Sequence, residues 1–161
     1  MELVSETPKV HARHVSPVQE AQILERYATL ADTIDGYINA SPNVRDLEAV
    51  DNWMRELQSL AANLAEQCAK AEGFFALAVM QSVESIPEQV WKRIGKSSTL
   101  TTQYVAGLYE NRFTAWQRLN NLKSLVKTVM DNTRTLIVTV REERRTHDAG
   151  NVRNSDAMFP G

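Results

Sequence analysis

The sequence contains few of the residues that usually carry catalysis or metal binding. It has one cysteine and three histidines among 161 residues, and it lacks both a GxxxxGKS/T phosphate-binding loop and a Gly-x-Ser-x-Gly nucleophile turn. His11 and His14 are three residues apart, but His147 lies in the opposite terminal segment, so no converging set of metal ligands is predicted. We therefore expect no enzyme activity, no metal site and no cofactor.

Long hydrophobic runs are also absent. No stretch approaches the roughly 18 consecutive apolar residues of a membrane span, and the first residues lack the basic flank and apolar core of a signal peptide. We therefore expect a cytoplasmic protein. The single cysteine, Cys68, lies between Leu64 and Ala71 on an apolar helical face, where a thiol packs as a small hydrophobic side chain.

Two long apolar stripes with helical spacing are the main feature that is present. Both advance in steps of three and four residues, the pattern of a helix that packs lengthwise against another helix. The first stripe consists of Leu47, Val50, Met54, Leu57, Ala61, Leu64, Cys68, Ala71, Phe75 and Ala78. The second consists of Val105, Leu108, Arg112, Ala115, Leu119, Leu122, Val126, Val129, Thr133, Leu136 and Val140.

Capping and turn residues divide the chain into segments. Residues 1–15 have no sustained period and are predicted to be a disordered arm. Ser16, followed by Pro17 and Gln19, has the spacing of a capping box and marks a helix start. The predicted helices cover about residues 16–39, 43–85, 87–94 and 98–145. The polar segment 146–161 is predicted to be a disordered tail.

These segments predict an all-α fold with one helical domain, residues 16–145. Two long helices joined by a short corner should pack antiparallel as an elongated hairpin with coiled-coil-like packing, and the N-terminal helix should add a third layer. Residues 135–140 are rich in β-branched side chains, which favour strands. Their apolar positions nevertheless keep the helical spacing, so we interpret this stretch as helix.

The net charge of −2 conceals a strong separation of charge along the chain. Residues 1–90 carry six Lys or Arg and fourteen Asp or Glu, a net of −8, whereas residues 91–145 carry eleven and four, a net of +7. This asymmetry favours either two elements of the chain that attract each other or a basic half that binds an anionic partner.

Five cations follow one side of the second stripe and are called the basic ridge below: Lys123, Lys127, Arg134, Arg141 and Arg144. Such a ridge can follow a phosphate backbone, because that binding depends on charge rather than on base sequence. Alternatively, the cations pair with acidic residues of the second predicted helix, such as Asp51, Glu66 or Glu72. No aromatic residues alternate with the ridge, so base stacking gains no support.

The last predicted helix has more apolar side chains than one partner helix can cover. Those outside the narrow stripe are Tyr109, Phe113, Trp116, Leu125, Met130 and Ile137. We therefore expect a homo-oligomer that is stabilised by five residues of the stripe: Leu119, Leu122, Val126, Val129 and Leu136.

The same helix resembles part of a known family. Its residues Glu110-Asn111, Gln117, Leu122-Lys123-Ser124, Lys127, Met130-Asp131-Asn132 and Ile137 resemble the long C-terminal helix of phage recombination mediators of the UvsY type. In that family this helix drives assembly into a ring-like oligomer, which binds single-stranded DNA and helps a RecA-like recombinase displace the single-strand-binding protein. The resemblance implies an oligomeric accessory protein of phage DNA recombination or replication, in the host cytoplasm, with the same partners.

One feature of that family has no direct counterpart here. The family carries a short Lys/Arg-rich motif on a helix ahead of the oligomerising one, whereas the second predicted helix and its start hold only three cations: Arg45, Arg55 and Lys70. The nearest substitute, called the basic corner below, is formed by Lys92, Arg93 and Lys96. We therefore add the basic corner to the candidate DNA-binding residues.

The alternative function belongs to a different class. A structural or adaptor protein, such as a phage virion or scaffold component, would use the apolar stripes only to assemble and would not bind nucleic acid. Exposure of the ridge to solvent would favour DNA binding, and neutralisation of the ridge by acidic residues would favour the adaptor.

Overall fold

A computed structural model of the protein describes residues 15–156, with side chains to residue 149. Throughout this range the regular secondary structure is helical, which confirms the predicted all-α class. The helices are α1 (Pro17–Asn39), α2 (Leu47–Val83), α3 (Glu88–Ile94), α4 (Ser98–Leu108) and α5 (Glu110–Asp156). No helix in the described range is both long and apolar enough to cross a membrane.

Helix α1 starts where the sequence places its capping box. The Ser16 hydroxyl accepts a hydrogen bond from the Gln19 N–H at 3.2 Å, and the Gln19 side chain accepts one from the Ser16 N–H at 3.0 Å. These bonds satisfy two backbone groups that have no partner within the helix. The helix ends at Asn39, shortly before Pro42, because proline disfavours the helical conformation at the preceding residue.

Helix α2 begins at Leu47, four residues later than the predicted start at Asn43. Asp46 is its cap and accepts a hydrogen bond from the Ala49 N–H at 3.1 Å. The Asn43 side chain instead accepts from the Arg45 N–H, which forms a turn rather than a helix start. The first stripe faces the core, since all of its residues are buried except Leu47 and Ala61, which are half-buried.

Helices α1, α2 and α5 form a three-helix core. Three contacts join α2 and α5 in opposite chain order: Phe74 with Arg112, Cys68 with Asn120 and Asp51 with Arg141. The two helices are therefore antiparallel. Helix α1 runs parallel to α5, because Glu20 contacts Arg112 and the later Asp32 contacts Arg118. The elongated shape and the coiled-coil geometry stay predictions.

The predicted helix 98–145 is two helices. The helix is interrupted at Tyr109, whose backbone angles of φ −121° and ψ 48° are not helical. Neither glycine nor proline occupies this position. The break coincides with Arg112, whose guanidinium lies 5.1 Å from the centre of the Tyr109 ring and is bonded to Glu20 of α1. The buried Arg112 side chain thus joins the start of α5 to α1.

Helix α5 continues to Asp156, so residues 146–156 differ from the predicted disordered tail. Gly150 costs a helix about 1 kcal/mol relative to alanine. That is too little to end a helix that is already propagating, because each added residue contributes a further hydrogen bond. Residues 1–14 and 157–161, which belong to the predicted arm and tail, lie outside the described residues.

Candidate functional site

The five cations of the basic ridge are all exposed on α5. Lys123 and Lys127 lie one helical turn apart, and neither has a hydrogen-bond or ion-pair partner among residues 15–149. These two ammonium groups therefore form an uncompensated positive patch.

The arginines of the ridge are partly neutralised. Arg134 pairs with Asp131 of its own helix at 3.1 Å, and Arg141 pairs with Asp51 of α2 at 3.7 Å. Arg144 donates a hydrogen bond to the Arg45 carbonyl at 2.6 Å. Pairing with α2 thus occurs at Asp51, as the second interpretation of the ridge predicts.

Another predicted partner of the ridge is engaged on its own helix. Glu66 forms an ion pair with Lys70 of α2 at 2.6 Å. The hydrogen bond from Lys70, together with its charge, holds the pKa of Glu66 below its usual range. Neither Glu66 nor Glu72 forms an ion pair with the ridge within the described part of the chain.

The basic corner is a separate patch. Helix α3 ends at Ile94 and is capped by Gly95, whose positive φ of 61° glycine adopts without strain. Lys92 pairs with Glu88 at 3.0 Å, whereas Arg93 and Lys96 are exposed and have no partner among the described residues. Among the described residues no hydrogen bond or ion pair joins the basic corner to the basic ridge.

The residues predicted to stabilise an oligomer fall into two groups. Leu119, Leu122 and Val126 are buried in the core of the chain itself. They are not available to a second copy, because α1 and α2 already cover them. Val129 is half-buried and Leu136 is 47% exposed.

The exposure of Leu136 has a geometric cause. A strict seven-residue repeat drifts by about 20° per heptad on a straight helix. Leu136 lies two heptads beyond Leu122 and has rotated out of the core, and Ile137 is buried in its place. Four apolar residues consequently line one side of α5 and are called the apolar flank below: Leu125, Val129, Leu136 and Val140.

An interhelical ion pair dominates the interior near the start of α5. Arg112, with 7% of its side chain exposed, donates from Nε and Nη2 to the two carboxylate oxygens of Glu20 at 3.0 and 2.8 Å. Its guanidinium also lies 4.0 Å from the centre of the Phe74 ring. The hydrogen bond from Arg112 lowers the pKa of Glu20 against the opposing effect of burial. The sequence places Arg112 on the second stripe, but the spacing of residues within one helix does not reveal a partner in α1.

A second polar contact ties α1 to α2. The rings of Tyr37 and Trp53 stack with their centres 5.9 Å apart, and the Trp53 Nε1–H donates to the Tyr37 carbonyl at 3.1 Å. The Tyr37 hydroxyl donates to Glu56 at 2.5 Å. Burial, reinforced by this bond, raises the pKa of Tyr37 to about 12. Both this contact and the Arg112–Glu20 pair hold helices together.

The described part of the chain offers no group of three or more His, Cys, Asp or Glu side chains arranged to hold a metal ion. No family model, curated protein or solved structure matches the chain. The surfaces of α5 are therefore the candidate functional site.

Proposed function

We propose that this protein is a helical accessory protein of phage DNA recombination or replication that binds single-stranded DNA through the basic ridge. The observation that supports it best is the pair Lys123 and Lys127. Both ammonium groups are exposed without a counter-ion among the described residues, on the side of α5 that also carries Arg134 and Arg141. Cations in such a row contact successive phosphates and release the counterions condensed on the strand.

The paired arginines remain available to DNA. The side chains of Arg134 and Arg141 are each 55% exposed. Exposed ion pairs contribute about 0–1 kcal/mol, so a phosphate can replace Asp131 or Asp51 at little cost. The basic corner provides additional contacts through Arg93 and Lys96.

The proposal also includes assembly and partners. The resemblance to UvsY-type mediators supports a homo-oligomer that acts with a RecA-like recombinase and a single-strand-binding protein in the host cytoplasm. Leu119, Leu122 and Val126 lie in the core, so the apolar flank is the surface that we assign to assembly. Its outer members, Leu125 and Leu136, are 45% and 47% exposed.

Salt-dependent binding of a fluorescent oligothymidylate tests the proposal. We expect binding without strong sequence preference, and a logarithm of the affinity that falls linearly with the logarithm of the salt concentration. Each neutralised phosphate of a single strand contributes about −0.7 to that slope. The absence of any change in anisotropy at low salt, with folded protein, would contradict DNA binding.

The alternative is a structural or adaptor protein without nucleic-acid binding. It is favoured by the Arg141–Asp51 pair, through which α2 partly neutralises the ridge, and by the exposed leucines of the apolar flank, Leu125 and Leu136. This alternative predicts an oligomer in sedimentation that leaves the oligothymidylate unbound at every salt concentration.

A further inference from the structure

A groove of about 650 Å³ lies between α1 and α2, on a surface that the proposed function does not use. Its volume is within the range of clefts that bind small ligands or short segments. Four apolar side chains form much of its lining, and each is only half-buried: Ile23, Leu30, Phe74 and Leu77. Apolar surface that is left partly open in this way favours a further segment that covers it.

The charge of the groove is positive. Arg26 and Lys70 belong to its lining, and no carboxylate does. Lys70 forms an ion pair with Glu66 at 2.6 Å, whereas Arg26 has no ion-pair partner in the described range. With one free cation and mainly aliphatic walls, the groove suits an apolar segment with few negative charges better than a phosphate backbone, which carries one charge per nucleotide.

A segment with this composition precedes α1. Residues 1–8 contain Leu3 and Val4 between Glu2 and Glu6, and they contain no Lys or Arg side chain. The groove residues Ile23 and Leu30 lie about 9 and 20 Å beyond the start of α1, at 1.5 Å per residue. The twelve residues from Val4 to Val15 span up to about 40 Å when extended, so the segment can reach the groove of its own chain.

We infer that the groove between α1 and α2 binds residues 2–6 of the same chain, with Leu3 and Val4 against the apolar lining and a carboxylate near Arg26. This inference is independent of the proposed DNA binding. An attached segment has an effective concentration in the millimolar range. A weak intrinsic affinity is therefore sufficient for the segment to occupy the groove and exclude other ligands from it.

The test uses the full chain and a fluorescent peptide of residues 1–8. In wild-type protein the attached segment competes with the peptide, whereas Leu3→Ser/Val4→Ser removes its apolar side chains and leaves the groove free. We expect the peptide to bind this variant about tenfold more tightly than it binds wild-type protein. Equal affinities, or no peptide binding to the variant, would overturn the inference.

Gly73 supplies a blocking substitution. A Cβ added there meets no atom within 4 Å, and Gly73 belongs to the groove lining. Gly73→Leu in the Leu3→Ser/Val4→Ser background should fill the groove and abolish peptide binding without loss of helix stability. Gly36→Leu, at an equally open position outside the lining, is the control that should leave binding unchanged. Loss of oligothymidylate binding, but not of peptide binding, in Gly73→Leu would overturn the inference and assign the groove to nucleic acid.

Discussion

Arg112 and Glu20 are 92 positions apart in the chain, yet their side chains form two hydrogen bonds between α5 and α1, one to each carboxylate oxygen. Bidentate pairs of this type are among the stronger polar contacts in proteins. The guanidinium is buried, so it depends on its partner: a buried charge that loses its counter-ion destabilises the fold much more than an exposed one does.

Replacement of Glu20 should therefore destabilise the protein. We expect Glu20→Gln to lower the free energy of unfolding by about 3 kcal/mol, because Arg112 would keep its charge in the interior without a carboxylate. Urea denaturation measures this change. Glu25→Gln, at an exposed position of the same helix, should change stability by less than about 0.5 kcal/mol. Equal effects of the two substitutions would contradict a role for the pair.

The Arg112–Glu20 pair should also make the free energy of unfolding depend on pH in the acidic range. The pKa of Glu20 is lower in the folded protein than its ordinary value of 4.5. The contribution of Glu20 to stability is therefore complete above pH 4.5, and it is lost as the pH falls through the lower pKa of the folded state. Denaturation at several pH values should show a difference between wild-type protein and Glu20→Gln that narrows with acid. A difference that stays constant down to low pH would contradict the assignment.

Much of the helical pattern could be predicted from the sequence, because it depends on local features. The Ser16 capping box and the first stripe required only short-range spacing. The break at Tyr109 was not predictable in this way: Gly107 lies two residues before it, but a single glycine within a helical pattern is tolerated and does not by itself mark a helix end. The break accompanies the contact of Arg112 with Glu20, which lies 92 positions earlier in the chain.

For the candidate site, too, the sequence predicts local features but not the tertiary contacts. The exposure of Lys123 and Lys127 agrees with their placement beside the stripe. An apolar stripe, however, does not reveal what covers it. The stripe predicts that Leu119 and Val126 lie at an interface between copies, whereas α1 and α2 cover them within one chain. The total apolar surface suggested a partner, but the identity of that partner depends on tertiary packing.

Loss of the two unpaired lysines should weaken DNA binding more than loss of the paired arginines. We expect Lys123→Gln/Lys127→Gln to reduce the salt slope by about 1.4, at 0.7 per phosphate contact. Arg134→Gln/Arg141→Gln should have a smaller effect, because a phosphate must first displace Asp131 or Asp51 from these side chains, which offsets part of the binding free energy. Anisotropy titrations with oligothymidylate measure both.

A control variant distinguishes direct contact between the ridge and DNA from a general effect of the net charge of the protein. Arg26→Gln/Arg55→Gln removes the same number of charges from exposed positions of α1 and α2 that contact no ridge residue, and it should leave the slope nearly unchanged. If this control lowered the slope as much as the lysine variant did, net charge rather than the ridge would explain the binding.

Substitutions on α5 should separate assembly from folding. Leu125→Glu/Leu136→Glu changes the exposed apolar flank, so the protein should stay helical and sediment as a smaller species. Leu122→Asp places a charge in the core and should unfold the chain, because a buried charge without a partner is strongly destabilising. Sedimentation velocity and circular dichroism distinguish the two effects. An unchanged oligomer in the flank variant would exclude this surface as the interface.

Tyr37 should report on the contact between α1 and α2 at alkaline pH. Its pKa is raised to about 12, so it keeps its proton in the folded protein after an unfolded tyrosine, with a pKa of about 10, has lost it. The stabilising contribution is thus complete below pH 10 and declines towards pH 12. Tyr37→Phe should lack this decline in denaturation experiments. The same pH dependence in the variant would show that another group is responsible.

Cys68, the single cysteine, is buried between α2 and α5, with its Sγ 4.0 Å from the Asn120 side-chain oxygen. A thiol in that position reacts with an added reagent only when the two helices separate. The rate of its chemical modification consequently measures the opening of the bundle, and saturating DNA or assembly should slow that rate if either favours the closed form. The native chain thus contains its own probe of the transient separation of α2 and α5. A cysteine introduced on the surface can be labelled selectively, because the Cys68 thiol is shielded.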